Sequence, residues 1–172
     1  MLKLTEKYRP RVLSDIIGQD KIVSKVQFRL DRGGFGGCGV VITGKSGTGK
    51  TSLARIIAGT LADEMNVTEF DAVDCTPSRI GDIEDAMSIY GMGSKNGRAW
   101  IVNEYHAMNK ASVAKWLTVL ERIPAHCCVI FTSTVEGNEL FENMTDSKAF
   151  GDRCINLALA QRDLVKPFAQ RA

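Results

Sequence analysis

The sequence predicts an α/β domain of three layers, a mostly parallel five-stranded sheet with helices on both faces. Three observations predict it. Short apolar runs recur along the chain, at Val40-Val41-Ile42, Ala99-Trp100-Ile101-Val102 and Cys127 to Phe131. Stretches with apolar residues at helical spacing lie between them, and strands alternating with helices imply parallel pairing through crossovers. The third observation is a glycine-rich loop between a strand and a helix. Gly44-Lys45-Ser46-Gly47-Thr48-Gly49-Lys50-Thr51 fits G-x-x-x-x-G-K-S/T, the phosphate-binding pattern.

Composition sets the frame. At 172 residues the chain is long enough for one domain with a real core. Hydrophobic content of 44% and charged content of 24% are ordinary for a globular protein. A net charge of +2 gives no argument for nucleic acid. The charge is segregated, however. Lys3, Lys7, Arg9, Arg11, Lys21, Lys25, Arg29 and Arg32 crowd the N-terminal segment, and Asp63, Glu64, Glu69, Asp71, Asp74, Asp82, Glu84 and Asp85 the middle. Separate partner surfaces and a plain solvated face both explain this. Five cysteines form no C-x-x-C pair, which argues against zinc. Cys127, Cys128 and Cys154 sit in apolar runs and read as core residues. No apolar run approaches the roughly 18 residues of a membrane span, and no signal peptide is evident. The expectation is a soluble, intracellular protein, cytoplasmic or nucleoid-associated, with no membrane partner.

Taken in order, the start to Pro10 reads as extended, because proline disfavours helix at Arg9. Val12 to Ile17 is an apolar patch ending at Gly18. Asp20 is expected to cap a helix to about Arg32, with Ile22, Val26 and Leu30 on one face. The first strand follows Gly33 to Gly37. After the glycine loop, Ser52 to Ala62 is a helix with Leu53, Ile56, Ile57 and Leu61 on one side. Glu69 to Val73 is the second strand, and Ser78 is expected to cap a helix to Tyr90. Gly91 to Gly97 is a loop. Ala99 to Val102 is the third strand, and Asn109 caps a helix that Pro124 stops. Cys127 to Phe131 is the fourth strand. A loop from Glu136 to Gly151 leads to a last strand at Cys154 to Leu159, and Asp163 opens a final short helix.

The chemistry follows from these positions. Gly44, Gly47 and Gly49 let successive N–H groups turn inward toward phosphate oxygens, and the next helix, beginning with Ser52, adds its positive end. Lys50 can reach the β- and γ-phosphates, and the Thr51 hydroxyl can ligate Mg²⁺. Asn103-Glu104 ends the third strand where a magnesium-orienting aspartate and a general base would sit. Asn103 keeps a carbonyl oxygen without the charge, and Glu104 is the candidate base. Thr134, after the fourth strand, can contact a γ-phosphate or the attacking water. These groups follow strands, so they converge at the carboxyl rim of a parallel sheet. Replacing Asn103 by aspartate is expected to raise turnover.

The whole pattern resembles a family. Leu4-Thr5-Glu6-Lys7-Tyr8-Arg9-Pro10 and Asp15-Ile16-Ile17-Gly18-Gln19 are similar to the opening of AAA+ clamp-loader ATPases, the replication factor C small subunits and the bacterial gamma subunit. Asn103-Glu104-Tyr105-His106-Ala107-Met108 resembles D-E-x-H-x-L, and Leu117 to Pro124 resembles L-L-K-x-L-E-E-P-P. Asp152-Arg153-Cys154 resembles S-R-C. The resemblance implies a P-loop ATPase domain over residues 1–160 and the start of a truncated helical lid at 161–172. It implies ATP and Mg²⁺ as cofactors. Tyr8, Pro10, Ile17 and Gly18 would surround adenine, Thr134 would be the first sensor, and Arg153 would act on a neighbouring subunit's nucleotide. Arg79 would contact DNA. The implied partners are like subunits in a homo- or hetero-oligomer, a sliding clamp and primer-template DNA. Asn103, Asp152 and Asp85 depart from the family pattern. Two alternatives stay open: an ATPase acting on forks or junctions, and a structural subunit that hydrolyses nothing.

Overall fold

The structure, a computed structural model, describes residues 9–142 and 146–160. Tyr8 and the segment expected to begin the lid, residues 161–172, lie outside the described residues. Five strands, β1 (Cys38–Thr43), β2 (Val67–Asp71), β3 (Arg98–Asn103), β4 (Cys127–Ser133) and β5 (Cys154–Ala158), form one sheet in the order β2-β3-β4-β1-β5. Every pairing is parallel. The described helices are α1 (Asp20–Leu30), α2 (Lys50–Leu61), α3 (Pro77–Ala86), α4 (Lys110–Leu120), α5 (Val135–Glu142) and α6 (Ser147–Asp152).

The period-two alternation of the strands divides the core into two clusters. Val40, Ile42, Ala99, Ile101, Cys128 and Ile130 face one side, where they meet Val26 of α1 and Leu53, Ala54 and Ile57 of α2. Val41, Trp100, Val102, Val129 and Phe131 face the other, against Ile80 and Ile83 of α3 and Val113, Trp116 and Val119 of α4. Helices on both faces explain why β4 is buried along its whole length. The second cluster is aromatic. The Trp116 ring meets Phe131 edge-on with centroids 5.2 Å apart, and Phe131 meets Phe150 at 4.9 Å. Edge-to-face pairs of this kind add about 0.5–1.5 kcal/mol beyond their buried area.

Several boundaries differ from those expected, each for a physical reason. Thr76, not Ser78, caps α3: its hydroxyl accepts from the Arg79 N–H at 3.3 Å, and Pro77 takes the first helical position, where no N–H is needed. That helix ends at Ala86, and Tyr90 beyond it is exposed, stacked on His126 at 4.0 Å. Asp20 lies in the first turn of α1 instead of capping it, and the preceding Gln19 turns its amide elsewhere. β2 begins two residues before Glu69 and stops at Asp71, where a 3-10 turn over Ala72–Asp74 takes over. The helix after the glycine loop begins at Lys50, two residues before Ser52. The segment expected as a loop from Glu136 to Gly151 holds α5 and α6, anchored by Phe141 and Phe150 at 2% and 1% exposure. Asn109 caps α4 as expected, accepting from the Ser112 N–H at 2.8 Å. Cys127 and Cys128 are buried and Cys154 is half-buried. Burial pushes the Cys127 thiol up to about 11 and Cys154 up to about 12, and it raises Cys128 as well.

Candidate nucleotide site at the carboxyl rim

Because all strands run parallel, the segments after β1, β3 and β4 share one rim. The reversal of strand order around β1 makes a crevice there, the usual ligand position in such sheets. The glycine loop occupies it. Gly44 N–H donates to the Ser133 carbonyl at 3.3 Å, which ties the loop to the end of β4. A Cβ on Gly44 would stand 2.7 Å from Thr48 Oγ1 and 2.9 Å from Leu159 Cβ, so the close approach requires glycine. Gly49 requires it for another reason: φ is +92° at the residue preceding α2.

Lys50 is 8% exposed, and its ammonium donates to the carbonyls of Gly44 (3.0 Å) and Lys45 (3.2 Å). Among the described residues no carboxylate pairs with it. A buried cation served by neutral carbonyls alone favours an anion as further partner. The Thr48 hydroxyl braces the same loop by donating to the Lys45 carbonyl at 2.8 Å. The first bond of α2 runs from Leu53 N–H to the Gly49 carbonyl at 2.9 Å. The N–H groups of Lys50, Thr51 and Ser52 therefore belong to the open helix end, with its partial positive charge. Lys45, Ser46 and Gly47 complete the loop.

Asn103 ends β3. Its Nδ2 donates to Glu69 Oε1 at 2.9 Å, and its Oδ1 accepts from the Thr132 hydroxyl at 2.9 Å. An ionised carboxylate only accepts, so Glu69 fixes which end of the amide faces it. The other Glu69 oxygen pairs with Arg55 Nε at 2.7 Å. Burial would raise the Glu69 carboxyl. The Arg55 and Asn103 hydrogen bonds, with the nearby Arg9 charge, outweigh burial and hold it below the usual value.

Glu104 follows in a left-handed conformation, φ +52° and ψ +49°. A non-glycine residue there costs on the order of 1–3 kcal/mol, and such strain gathers at functional positions. Its carboxylate lies 3.5 Å from His106 Nδ1. The Ser133 hydroxyl donates to the Thr134 carbonyl at 3.1 Å, leaving its oxygen to accept from His106 Nδ1 at 2.8 Å. Glu104, His106, Ser133 and Thr134 thus form one polar row beside the loop.

The other expected residues lie apart. Pro10 lines a cavity of about 660 Å³ with Arg9, Arg55, Gly59, Glu69 and Lys95, on the β2 side of α2. Gly18, at φ +73°, leads into α1 behind the half-buried Ile17. Arg79 lies over the Phe70 ring, 4.1 Å from its centroid. Arg153 stands at the far end of the sheet, because Cys154 pairs with Gly39 at the start of β1. Five residues of strand at about 3.3 Å each put roughly 17 Å between it and the loop. Its guanidinium is bound to Glu121 and the Ala149 carbonyl.

Sequence reasoning missed Glu69, Thr132 and Ser133 as members of this site. Alternation about buried Phe70 puts Glu69 and Asp71 together on the opposite face of β2, a pattern that reads as solvent-facing and gave no signal of the Glu69 contact.

The oxygens of Thr51 and Asn103 are hard donors suited to Mg²⁺. Among the described residues no cluster of three or more His, Cys, Asp or Glu forms. The set therefore fits magnesium that takes most of its ligands from phosphate and water, not an all-protein cage.

The model of the family described as "ATPase family associated with various cellular activities (AAA)" matches residues 40–154. Among curated proteins, DNA polymerase III subunit gamma/tau of Mycobacterium tuberculosis is 27% identical over 157 residues, covering 77% of this chain and 27% of that protein. Replication factor C subunit 3 of Saccharomyces cerevisiae is 31% identical over 129 residues, covering 70% of this chain and 36% of that one. The chain thus spans well under half the length of these relatives. Among solved structures, the RuvB Holliday junction branch migration motor of Thermotoga maritima superposes with a TM-score of 0.66 at 22% identity, over 88% of this chain and 48% of that one. A DNA polymerase III gamma subunit-related protein of the same organism gives 0.61 at 11% identity, over 88% and 50%. Both structural likenesses speak to the αβα fold. The family match spans the phosphate loop, the Asn103-Glu104 strand end and Arg153, and with it the chain belongs to the AAA family of ATPases.

Proposed function

We propose that the chain binds ATP with Mg²⁺ and hydrolyses it as one subunit of a homo- or hetero-oligomer, a clamp-loader-like assembly that places a sliding clamp on primer-template DNA. The observation that carries the nucleotide reading is Lys50, a buried ammonium held over the glycine loop by two neutral carbonyls. The curated relatives named as DNA polymerase III gamma/tau and replication factor C support the replication reading. Cytoplasmic or nucleoid location follows from that role.

In this reading the Gly44–Ser52 backbone and Lys50 cradle the β- and γ-phosphates, and Ile17 and Gly18 border the base together with Tyr8, while Pro10, expected beside them, stays in its cavity on the β2 side. Thr51 and Asn103 would hold magnesium, which neutralises phosphate charge when bound. Glu104 accepts the proton of the attacking water, with His106 and Ser133 steadying its side of the cleft. Thr134 touches the γ-phosphate or that water. Arg153 is too far from its own loop, so it serves the nucleotide of an adjoining subunit. Arg79 neutralises a DNA phosphate once it leaves Phe70.

Calorimetric titration of ATP into wild-type and Lys50→Ala chains tests the core of this reading. Loss of binding in the variant is expected, and unchanged affinity would refute the phosphate-loop assignment. Glu104→Gln should bind ATP normally and lose turnover.

A further inference from the structure

We propose that Glu121 is a positioning residue for the trans-acting arginine, gripping one edge of the Arg153 guanidinium so that its remaining donors face a neighbouring subunit's terminal phosphate. The proposal rests on the reading of Arg153 given above and names what holds that side chain ready.

A guanidinium carries five N–H donors in a fixed planar fork. In Arg153, Nε donates to Glu121 Oε1 at 2.9 Å and Nη2 to the same oxygen at 2.6 Å. Nη1 donates to the Ala149 carbonyl at 2.9 Å. Three donors are engaged, and one on each terminal nitrogen is left. Two donors on adjacent terminal nitrogens match the spacing of two phosphate oxygens. A grip from the side by one carboxylate oxygen therefore leaves one donor on each terminal nitrogen for a further partner.

Two further features separate this pair from an ordinary surface contact. Glu121 occupies the C-terminal cap of α4. The helix dipole is negative there, so a carboxylate is locally disfavoured. Its neighbour Arg122 suits that end better and turns instead to Glu84, at 3.6 Å. Arg153 caps α6, and its bond to the Ala149 carbonyl folds the side chain back along that helix, whose Phe150 is anchored in the aromatic core, while Glu121 reaches it from α4. The guanidinium is thus held by its own helix and by Glu121 of the neighbouring one, and the two side chains remain 35% and 57% exposed, open to a further partner. A pre-oriented arginine loses less side-chain freedom on meeting phosphate than a mobile one.

The test uses the oligomer-forming full-length chain, as wild type, Glu121→Gln, Arg153→Ala and the double variant. Each is measured for Mg-ATP affinity, kcat and thermal midpoint. Glu121→Gln should keep ATP affinity within about twofold and its midpoint within a few degrees, while kcat falls about tenfold to hundredfold, the usual cost of misplacing a reacting group. Adding Glu121→Gln to Arg153→Ala should cost nothing more, because both act through one side chain. Assemblies mixed from wild-type and Glu121→Gln subunits should lose turnover with variant fraction as Arg153→Ala mixtures do. Glu121→Asp, with shorter reach, should fall between Gln and wild type, and it serves if the Gln variant misfolds. Unchanged or raised kcat in Glu121→Gln would overturn the proposal, as would a loss that adds to that of Arg153→Ala. If Arg153→Ala itself leaves turnover intact, the trans-acting reading fails first, and the two failures are thereby told apart.

Discussion

Asn103→Asp is expected to cost stability and to bring no gain in turnover, the reverse of what the strand motif alone suggests. Asn103 Nδ2 stands 2.9 Å from Glu69 Oε1. An aspartate in the same rotamer sets two carboxylate oxygens at that distance with no hydrogen between them. Two unit charges there repel by about 6 kcal/mol at an effective dielectric near 20. Arg55, at 2.7 Å from the other Glu69 oxygen, offsets part of this, and side-chain rotation relieves more. The charge-assisted hydrogen bond, about 1.5–3 kcal/mol, is lost in either case. A net cost of about 2–4 kcal/mol corresponds to a fall in midpoint of roughly 5–10 °C for a domain of this size. The assay is thermal unfolding of the nucleotide-free chain as wild type, Asn103→Asp, Glu69→Gln and the double variant. Moving the carboxylate from position 69 to 103 while moving the amide the other way restores one donor facing one acceptor. The double variant should therefore recover most of the loss, with a coupling above about 1 kcal/mol. An Asn103→Asp chain as stable as wild type, and faster at low magnesium, would refute the argument. Its Glu69 contact would then be incidental.

Two further outcomes are expected. Gly44→Ala should destabilise by about 1–3 kcal/mol and weaken ATP binding, since the added Cβ meets Thr48 and Leu159 below contact distance; Gly59→Ala, with open space at its Cβ, should instead stabilise by about 0.5–1 kcal/mol, and equal midpoints for the two would count against the loop geometry. Thiol labelling of the native chain at pH 8 should modify half-buried Cys38 first. Cys154, with its thiol pushed up to about 12 by burial, holds only about one thiolate in ten thousand at that pH, and labelling it as fast as Cys38 would contradict its described surroundings.

Local features were legible in the sequence. The phosphate loop needs only eight consecutive residues and a flanking strand and helix. Asn109 announced its helix because the cap and the apolar stripe of Val113 and Leu120 are close in sequence. The two helices between Val135 and Asp152 were hidden because Glu136, Gly137, Asn138 and Glu139 dilute the apolar pattern; Phe141 and Phe150 carry them, and an isolated phenylalanine has no period. The cap of α3 was misread by two residues because Pro77 was weighed as a turn former and not as a first helical residue. The ties of Asn103 to Glu69 and Thr132 were out of reach for a deeper reason. They join three strands whose register is set by packing of the whole sheet, and no short window of sequence contains that information. The distance of Arg153 from its own loop has the same origin, since it rests on Cys154 standing beside Gly39.

The chain just after the last strand packs against the glycine loop, with Leu159 beside Gly44. Leu159 N–H donates to the Thr43 carbonyl at 2.7 Å, and the Gln19 amide grips Ala160 from both sides, donating to its carbonyl at 2.7 Å and accepting from its N–H at 3.1 Å. Gln19 and Ala160 are 141 positions apart. Closing so long a loop is an entropic cost met before its contacts repay it. During synthesis, Gln19 and the glycine loop leave the ribosome long before β5 does. Until β5 arrives, β1 is a sheet edge with unpaired backbone groups, open to pairing with a foreign strand. The bonds that join Thr43 to Leu159 and Gln19 to Ala160 therefore form only when almost all the described residues have been made, and the first strand after the N-terminal helix is among the last to gain both of its neighbours.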